Sequence, residues 1–406
     1  MTEYATDLVF LTGLIGGMVV LIMWIKSGLD RVGIPPLVGY LGMGLMLRMS
    51  DRQFHWLDTG SEEVFAFLAT IGLVTLLFRV GLESKTKMLL KQLRRASIVW
   101  MGNIFISGFA GFAVAFYLLG LDLLASLVIG IALTATSMGT SVTVWENKGA
   151  LRSPNGSILV DVAELDDITA VVFMALLFAL VPAIQEARSI SIGRILALTG
   201  GVFLVKVLSF GVFCFLFSRF LEGPLTRYFK SFERPPDPML TVVGIGLIIA
   251  FIAGLIGFSL AIGAFFAGLM FSRDPQAVKM EGSFLPVYEL FSPFFFVGIG
   301  MHMDLYHFGT SAGPGMVLLV VAILGKLAGN GVPLVLIKGW RSGVLIGTSM
   351  VPRAEIAMVV MKRGLDQGIV SPQIFTGMIM VSAATCVLSP VAVSFLLDRW
   401  PQEEKR

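Results

Sequence analysis

Apolar runs long enough to cross a bilayer recur from one end of this 406-residue sequence to the other, and nothing else constrains its folding as strongly. In hydrocarbon every backbone N–H and C=O must be satisfied by the protein itself, which leaves helices or closed barrels, and runs of about 20 apolar residues suit helices. With 56% hydrophobic and 14% charged residues the chain reads as an all-α polytopic membrane protein. About thirteen transmembrane helices are expected, near 7–26, 33–48, 61–82, 97–119, 123–145, 157–181, 193–220, 238–255, 257–272, 285–303, 314–337, 342–361 and 373–397. The first run, Leu8 to Ile25, follows an acidic start without a small-residue cleavage site and is kept as a span rather than a signal peptide.

Basic residues orient these spans. With the N-terminus outside, twenty of the thirty Lys and Arg fall in inside loops and six in outside loops, which places the C-terminus in the cytoplasm. The other four, Arg79, Lys206, Lys326 and Arg353, lie within spans. The basic stretch Lys85 to Arg95 is expected at the cytoplasmic lipid surface. Two cysteines in apolar runs (Cys214, Cys386) and three scattered histidines (His55, His302, His307) indicate neither a disulfide framework nor a metal-ligand spacing. No catalytic residues are expected, and the chain is not read as an enzyme.

An internal repeat is visible. Val38-Gly39 through Gly44-Leu45-Met46-Leu47 matches Ile262-Gly263 through Gly268-Leu269-Met270-Phe271. Phe78 to Leu82 matches Phe295 to Ile299, and Thr136-Ser137-Met138 matches Thr348-Ser349-Met350. Seven spans separate each matched pair, so the halves, about 1–182 and 238–398, face opposite ways, joined by a linking helix at about 193–220. Inverted repeats imply alternating access around a midplane site. The fifth span of each half carries helix breakers, Thr134-Ala135-Thr136-Ser137 and Thr348-Ser349-Met350-Val351-Pro352, whose hydroxyls can satisfy freed carbonyls or reach an ion. Either alone reads as a Ser/Thr patch with a proline kink; their matching positions favour crossed, broken helices.

Charge within a span is costly, roughly 2.5 to 3.5 kcal/mol per carboxylate on insertion scales. Glu164, Asp166 and Asp167 nevertheless lie together in 157–181. On a helix Asp166 and Asp167 project about 100° apart, whereas Glu164 and Asp167 share a face. Lys326 is too deep to snorkel and needs an anionic partner, for which Asp166 and Asp167 are the candidates by depth. The pairing reads as a structural staple or as part of an ion site, since one carboxylate is left over to take a cation or a proton. Arg353 and Glu355 suit charge compensation at half-helix termini. Lys206 has Glu289 as a conceivable partner.

The segment Thr134-Ala-Thr-Ser-Met-Gly-Thr-Ser, followed by Asp161-Val-Ala-Glu-Leu-Asp-Asp-Ile-Thr, resembles the monovalent cation:proton antiporter superfamily, in particular its bacterial sodium/proton branch with paired aspartates. Leu77 to Glu83, Pro293 to Met301, Pro352 to Glu355 and Gly325-Lys326 agree with that pattern. The resemblance implies a secondary antiporter that exchanges Na+ or Li+ for protons, serves pH homeostasis, and uses no ATP and no cofactor. In this reading Asp167 binds the cation or a proton, and Asp166 pairs with Lys326. Thr136, Ser137 and Glu164 supply further oxygens. The implied architecture is a core domain sliding against a dimerisation domain, as a homodimer in the bacterial inner membrane. Its partners are the transported ions and the bilayer, not nucleic acid. Three departures stand out: Glu164 where a small or apolar residue is expected, Arg79 in a normally apolar motif, and Ala354 in place of a common Gly. From sequence, Arg79 has Glu164 or Asp161 as possible partners. With no soluble regulatory domain after the last span, a stand-alone sodium-type exchanger is expected, with K+/H+ exchange at the same site as the alternative. A bile-acid-type symporter shares the repeats but has no use for a midplane lysine opposite paired aspartates, and a receptor or scaffold needs none of these charges.

Overall fold

The computed structural model describes residues 2–32, 34–55, 57–83, 96–186, 201, 205–206, 209–221, 224, 239–256, 258–272, 281–303 and 308–402. They form an all-helical structure: α1 (Thr2–Val32), α2 (Pro36–Phe54), α3 (Thr59–Glu83), α4 (Ala96–Leu118), α5 (Leu123–Thr134), α6 (Met138–Asn147), α7 (Pro154–Glu186) and α8 (Ser209–Leu221). There follow α9 (Met239–Ile256), α10 (Leu260–Phe271), α11 (Glu281–Met301), α12 (308–338), α13 (Trp340–Ser349), α14 (Glu355–Asp366) and α15 (Pro372–Arg399). Eight helical stretches among the described residues are long and apolar enough to cross a membrane, with α5 and α6 together forming one of them. The chain is a multi-pass membrane protein.

Helix ends follow local chemistry. Pro36 and Pro372 occupy first turns, where a missing N–H removes no bond. The Asp122 carboxylate accepts from Ala125 N at 2.8 Å to start α5, and Ser259 and Ser371 cap α10 and α15 in the same way. Helices also outrun the apolar windows: α1 extends to Val32 and α7 to Glu186, because helical hydrogen bonding continues into polar residues such as Lys26, Asp30 and Arg31. Of the linking span expected at 193–220, α8 falls within the described residues and 193–200 outside them. The basic stretch 85–95 also lies outside the described residues.

Between apolar helices in lipid there is little hydrophobic drive to associate, so close packing at small residues carries much of the load. A Cβ on Gly81 of α3 would meet Phe265 O of α10 at 2.1 Å, and one on Gly268 of α10 would meet Phe78 O at 2.0 Å. Gly44 of α2 and Gly300 of α11 are equally close to Val297 O and Leu41 O, at 2.0 and 2.2 Å. These crossings join α2, α3, α10 and α11 into one panel. Elsewhere Gly102 of α4 packs against Gly329 O of α12, where an added Cβ would lie at 2.3 Å, and Gly315 of α12 meets Gly377 of α15. Both α4 and α12 contain π-helical turns at this crossing, 103–108 and 327–331.

Gly81→Val forces α3 from α10 and is expected to destabilise by about 1–3 kcal/mol, the usual range for overpacking. Thermal unfolding of the detergent-solubilised protein should show a lowered Tm, while Gly13→Ala, with open space around its Cβ position, leaves Tm unchanged.

Candidate functional site

Two of the expected spans are interrupted. The first break, 135–137, separates α5 from α6, and the second, 351–354, separates α13 from α14. Each break strands backbone groups that a continuous helix would pair. The breaks meet directly: Ser137 N donates to Pro352 O at 2.8 Å. Pro352 offers no N–H, so its segment contributes a carbonyl.

The carbonyls at the end of α5 are satisfied by side chains from other helices. Leu133 O accepts from Ser107 Oγ of α4 at 2.9 Å and from Arg353 Nη2 at 2.8 Å. Thr134 O accepts from Asn103 Nδ2 at 3.0 Å and from Lys326 Nζ at 2.7 Å. Two cations thus sit on the negative end of a half-helix, where the macrodipole favours them. Around the second break, Arg353 Nη1 donates to Val351 O at 2.7 Å. A stripe along α15 completes the set: Ser382 Oγ donates to Arg353 O at 2.6 Å, Thr385 Oγ1 accepts from Arg353 N at 3.3 Å, and Ser389 Oγ donates to Thr348 O at 2.8 Å. Ser141 Oγ of α6 donates to Ser349 O at 2.5 Å, and Trp145 Nε1 to Ser349 Oγ at 3.0 Å. Glu355 opens α14, where a carboxylate complements the positive helix end.

Beside the first break, α7 presents its aspartates. Asp166 Oδ2 accepts from Lys326 Nζ at 2.9 Å and from Thr136 Oγ1 at 2.8 Å, and both charged side chains are fully buried. Lys326 Nζ also reaches Thr136 Oγ1 at 2.5 Å, so Thr134, Thr136 and Asp166 together occupy its three donors. Asp167 lies on a different side of α7 and is 8% exposed. Its Oδ1 is buried with no hydrogen-bond partner among the described residues, as is Oδ1 of Asp166. Ser137 Oγ faces the Glu355 carboxylate without forming a close hydrogen bond. Glu164 is buried one turn from Asp167 along α7. Buried acceptors without donors are rare in native proteins. A cluster of them beside a satisfied ion pair suits a proton or a hard cation bound through oxygen. Among the described residues no three His, Cys, Asp or Glu side chains gather in a metal-ligating group.

The structure therefore brings Asp166, Thr136 and Lys326 into one hydrogen-bonded unit and leaves Asp167 and Ser137 facing outward from it. Arg353 bridges the two breaks, and Glu355 lies at the second. Arg79 Nε donates to Glu83 Oε1 at 2.6 Å, an i,i+4 partner on the same helix face. Lys206 does not take Glu289, which pairs with Lys26. Lys206 Nζ instead donates to Ile256 O at 3.1 Å, at the negative end of α9. Asn103, Ser107 and the α15 stripe were not among the expected site residues. Their signal was spacing, i,i+4 in α4 and i,i+3,i+7 in α15, within spans where isolated Ser, Thr and Asn are otherwise unremarkable.

The sodium/hydrogen exchanger transmembrane family model matches residues 17–399. The chain is similar to the Na(+)/H(+)-K(+) antiporter GerN of Bacillus cereus, 26% identical over 372 residues covering 90% of each chain. It is also similar to the high-affinity Na(+)/H(+) antiporter NhaS3 of Synechocystis, 26% identical over 402 residues, 96% of this chain and 85% of that one. In three dimensions it resembles the sodium proton antiporter MjNhaP1 of Methanocaldococcus jannaschii, with a TM-score of 0.64, 16% identity and 97% of each chain covered.

Lys326→Gln leaves Asp166 without a cation in a buried site, and removing one partner of such a pair costs about 3–5 kcal/mol. A clear fall in Tm is expected, partly recovered when Asp166→Asn is added. Equal Tm values for the single and double variants would argue against a paired, desolvated contact.

Proposed function

This chain belongs to the sodium/hydrogen exchanger family, and on that premise we propose that it is a secondary antiporter exchanging a monovalent cation, Na+ or Li+, for protons at Asp167. The observation that carries the reading is the buried Asp167 carboxylate, with an oxygen lacking a donor among the described residues, beside an ion pair that already engages Asp166 through its Oδ2. A proton and a cation compete for the same electron-rich space, so binding one releases the other. Asp166 holds Lys326, and the pair is the switchable partner of the site. Ser137 and Glu164 contribute oxygen near the cation, and Thr136 positions Asp166 for Lys326. Arg353 and Glu355 keep the two breaks electrically balanced.

Alternating access arises in this reading from two inverted repeats, about 1–182 and 238–398, linked by the helix at about 193–220. Support comes from the matched glycine motifs: Gly44 of α2 and Gly268 of α10 each lie at a helix crossing of the same panel. The broken helices with α4, α7, α12 and α15 form a core that slides, elevator-fashion, against the panel of α2, α3, α10 and α11. The working unit is a homodimer in the bacterial cell membrane, with the N-terminus outside and the C-terminus cytoplasmic. The paired aspartates favour electrogenic exchange, with more protons than cations moved per cycle. K+/H+ exchange at the same site is the second reading, favoured by the name of the B. cereus relative, which includes K+.

In proteoliposomes carrying a pH dye, Na+ or Li+ is expected to dissipate an imposed proton gradient, and Asp167→Asn to abolish the response. Retained exchange in that variant would sink the site assignment, and a response to K+ alone would establish the second reading. Lys326→Gln is expected to keep cation exchange but alter the charge moved per cycle, read as a changed dependence on membrane potential. An unchanged dependence would reduce the Asp166–Lys326 pair to a staple.

A further inference from the structure

Besides its aspartate pair, α7 carries two more acids and a serine in a regular pattern. Ser157, Asp161 and Glu164 follow i, i+4, i+7 spacing and so line one face of the helix. Asp167, three residues after Glu164, stands at the edge of that face. The opposite face, with Leu159, Val162 and Ala163, belongs to an apolar cluster with Trp145, Leu345 and Met350. Along the axis the polar face is one-sided. Ser157, three residues from the Pro154 end, is exposed, whereas past Asp167 the same face continues with the apolar Ile168, Val171 and Ala175. On this face α7 therefore offers Asp167 a polar route toward one end of the helix and none toward the other.

Asp161 is the member of this row that packing does not explain. It is only 9% exposed, yet its carboxylate makes no hydrogen bond or ion pair among the described residues. A carboxylate at such depth without donor or counter-charge is costly, and in membrane helices acids of this kind mark ion pathways. At a rise of 1.5 Å per residue, Asp161 lies about 9 Å along the axis from Asp167, with Glu164 about 4.5 Å from each. The acids are strung out rather than gathered, and among the described residues they form no metal-ligating group of three. That spacing suits a weakly held ion passed from one carboxylate to the next, not tight chelation. We propose that Asp161 is a second, weaker site for the transported monovalent cation, on a one-sided path to Asp167 whose mouth is at Ser157. The inference rests on the exchanger reading. It adds a staging site and a direction of approach, which is the cytoplasmic side in the orientation proposed above.

The test titrates the purified full-length protein with radiolabelled Na+, or with labelled K+ if wild type exchanges only that ion. Asp167→Asn should lose the tight component of binding and keep a weak one. Adding Asp161→Asn should remove the weak component, whereas adding Asp161→Glu should retain it. No residual binding in Asp167→Asn, or the same residual binding after Asp161→Asn is added, overturns the second site. Ser157→Leu, an exposed change that places an apolar side chain at the mouth, tests the path by kinetics and decides the matter if the double variant does not fold. In proteoliposomes it should slow exchange several-fold while equilibrium cation affinity stays at the wild-type value. An unchanged rate overturns the path, and a changed affinity shows that the substitution acts on the site itself, which also overturns it. A wild type that exchanges neither Na+ nor K+ for protons overturns the exchanger reading and this inference with it.

Discussion

Two helices stop inside the bilayer, and everything around them follows from what that does to the backbone. A broken helix leaves carbonyls and amides that neither lipid nor a neighbouring strand can satisfy, so other side chains must reach them. The bond from Ser137 N to Pro352 O closes one gap with the other break. Lys326 and Arg353 close the end of α5, together with Asn103 and Ser107. Once two cations are committed to the end of one half-helix, carboxylates must be near to offset them, and Asp166 is drawn into contact with Lys326. Asp167, the next residue on α7, is turned away from that pair by helical geometry alone.

The glycine crossings supply the complementary constraint. In the panel, backbone lies on backbone at Gly81 and Gly268 and again at Gly44 and Gly300, leaving no room for side-chain rearrangement. Such surfaces act as rigid plates. Polar contacts are concentrated instead around the breaks, where hydroxyls and an ion pair replace helical hydrogen bonds. The molecule thus divides its work: stiffness where small residues cross, charge where the helices are interrupted.

Much of this was legible in the residues themselves. The breaks announced themselves through Thr-Ser and Pro at corresponding places, because few other residues free or satisfy a backbone group in mid-membrane. The depth of Lys326 and the 100° offset of the aspartates restricted its partner to two adjacent residues. Long, flexible side chains were harder to place. Arg79 reaches Glu83 on its own helix, a partner its spacing alone did not single out, and Glu289 was occupied by Lys26, leaving Lys206 to a helix-end carbonyl. The hydroxyl stripe of α15 escaped notice for a different reason: a serine in an apolar span can bond its own helix, and only the position of a neighbouring break shows that Ser382 and Ser389 bond outward.

That stripe has a mechanical consequence. α15 is bonded along one side to the backbone of the second break and packs through Gly377 on Gly315 of α12, the helix that carries Lys326. One rod therefore fastens both the break and the lysine. Any displacement of the second break would therefore pull on α12 as well, and through it on the fully buried contact between Lys326 and Asp166.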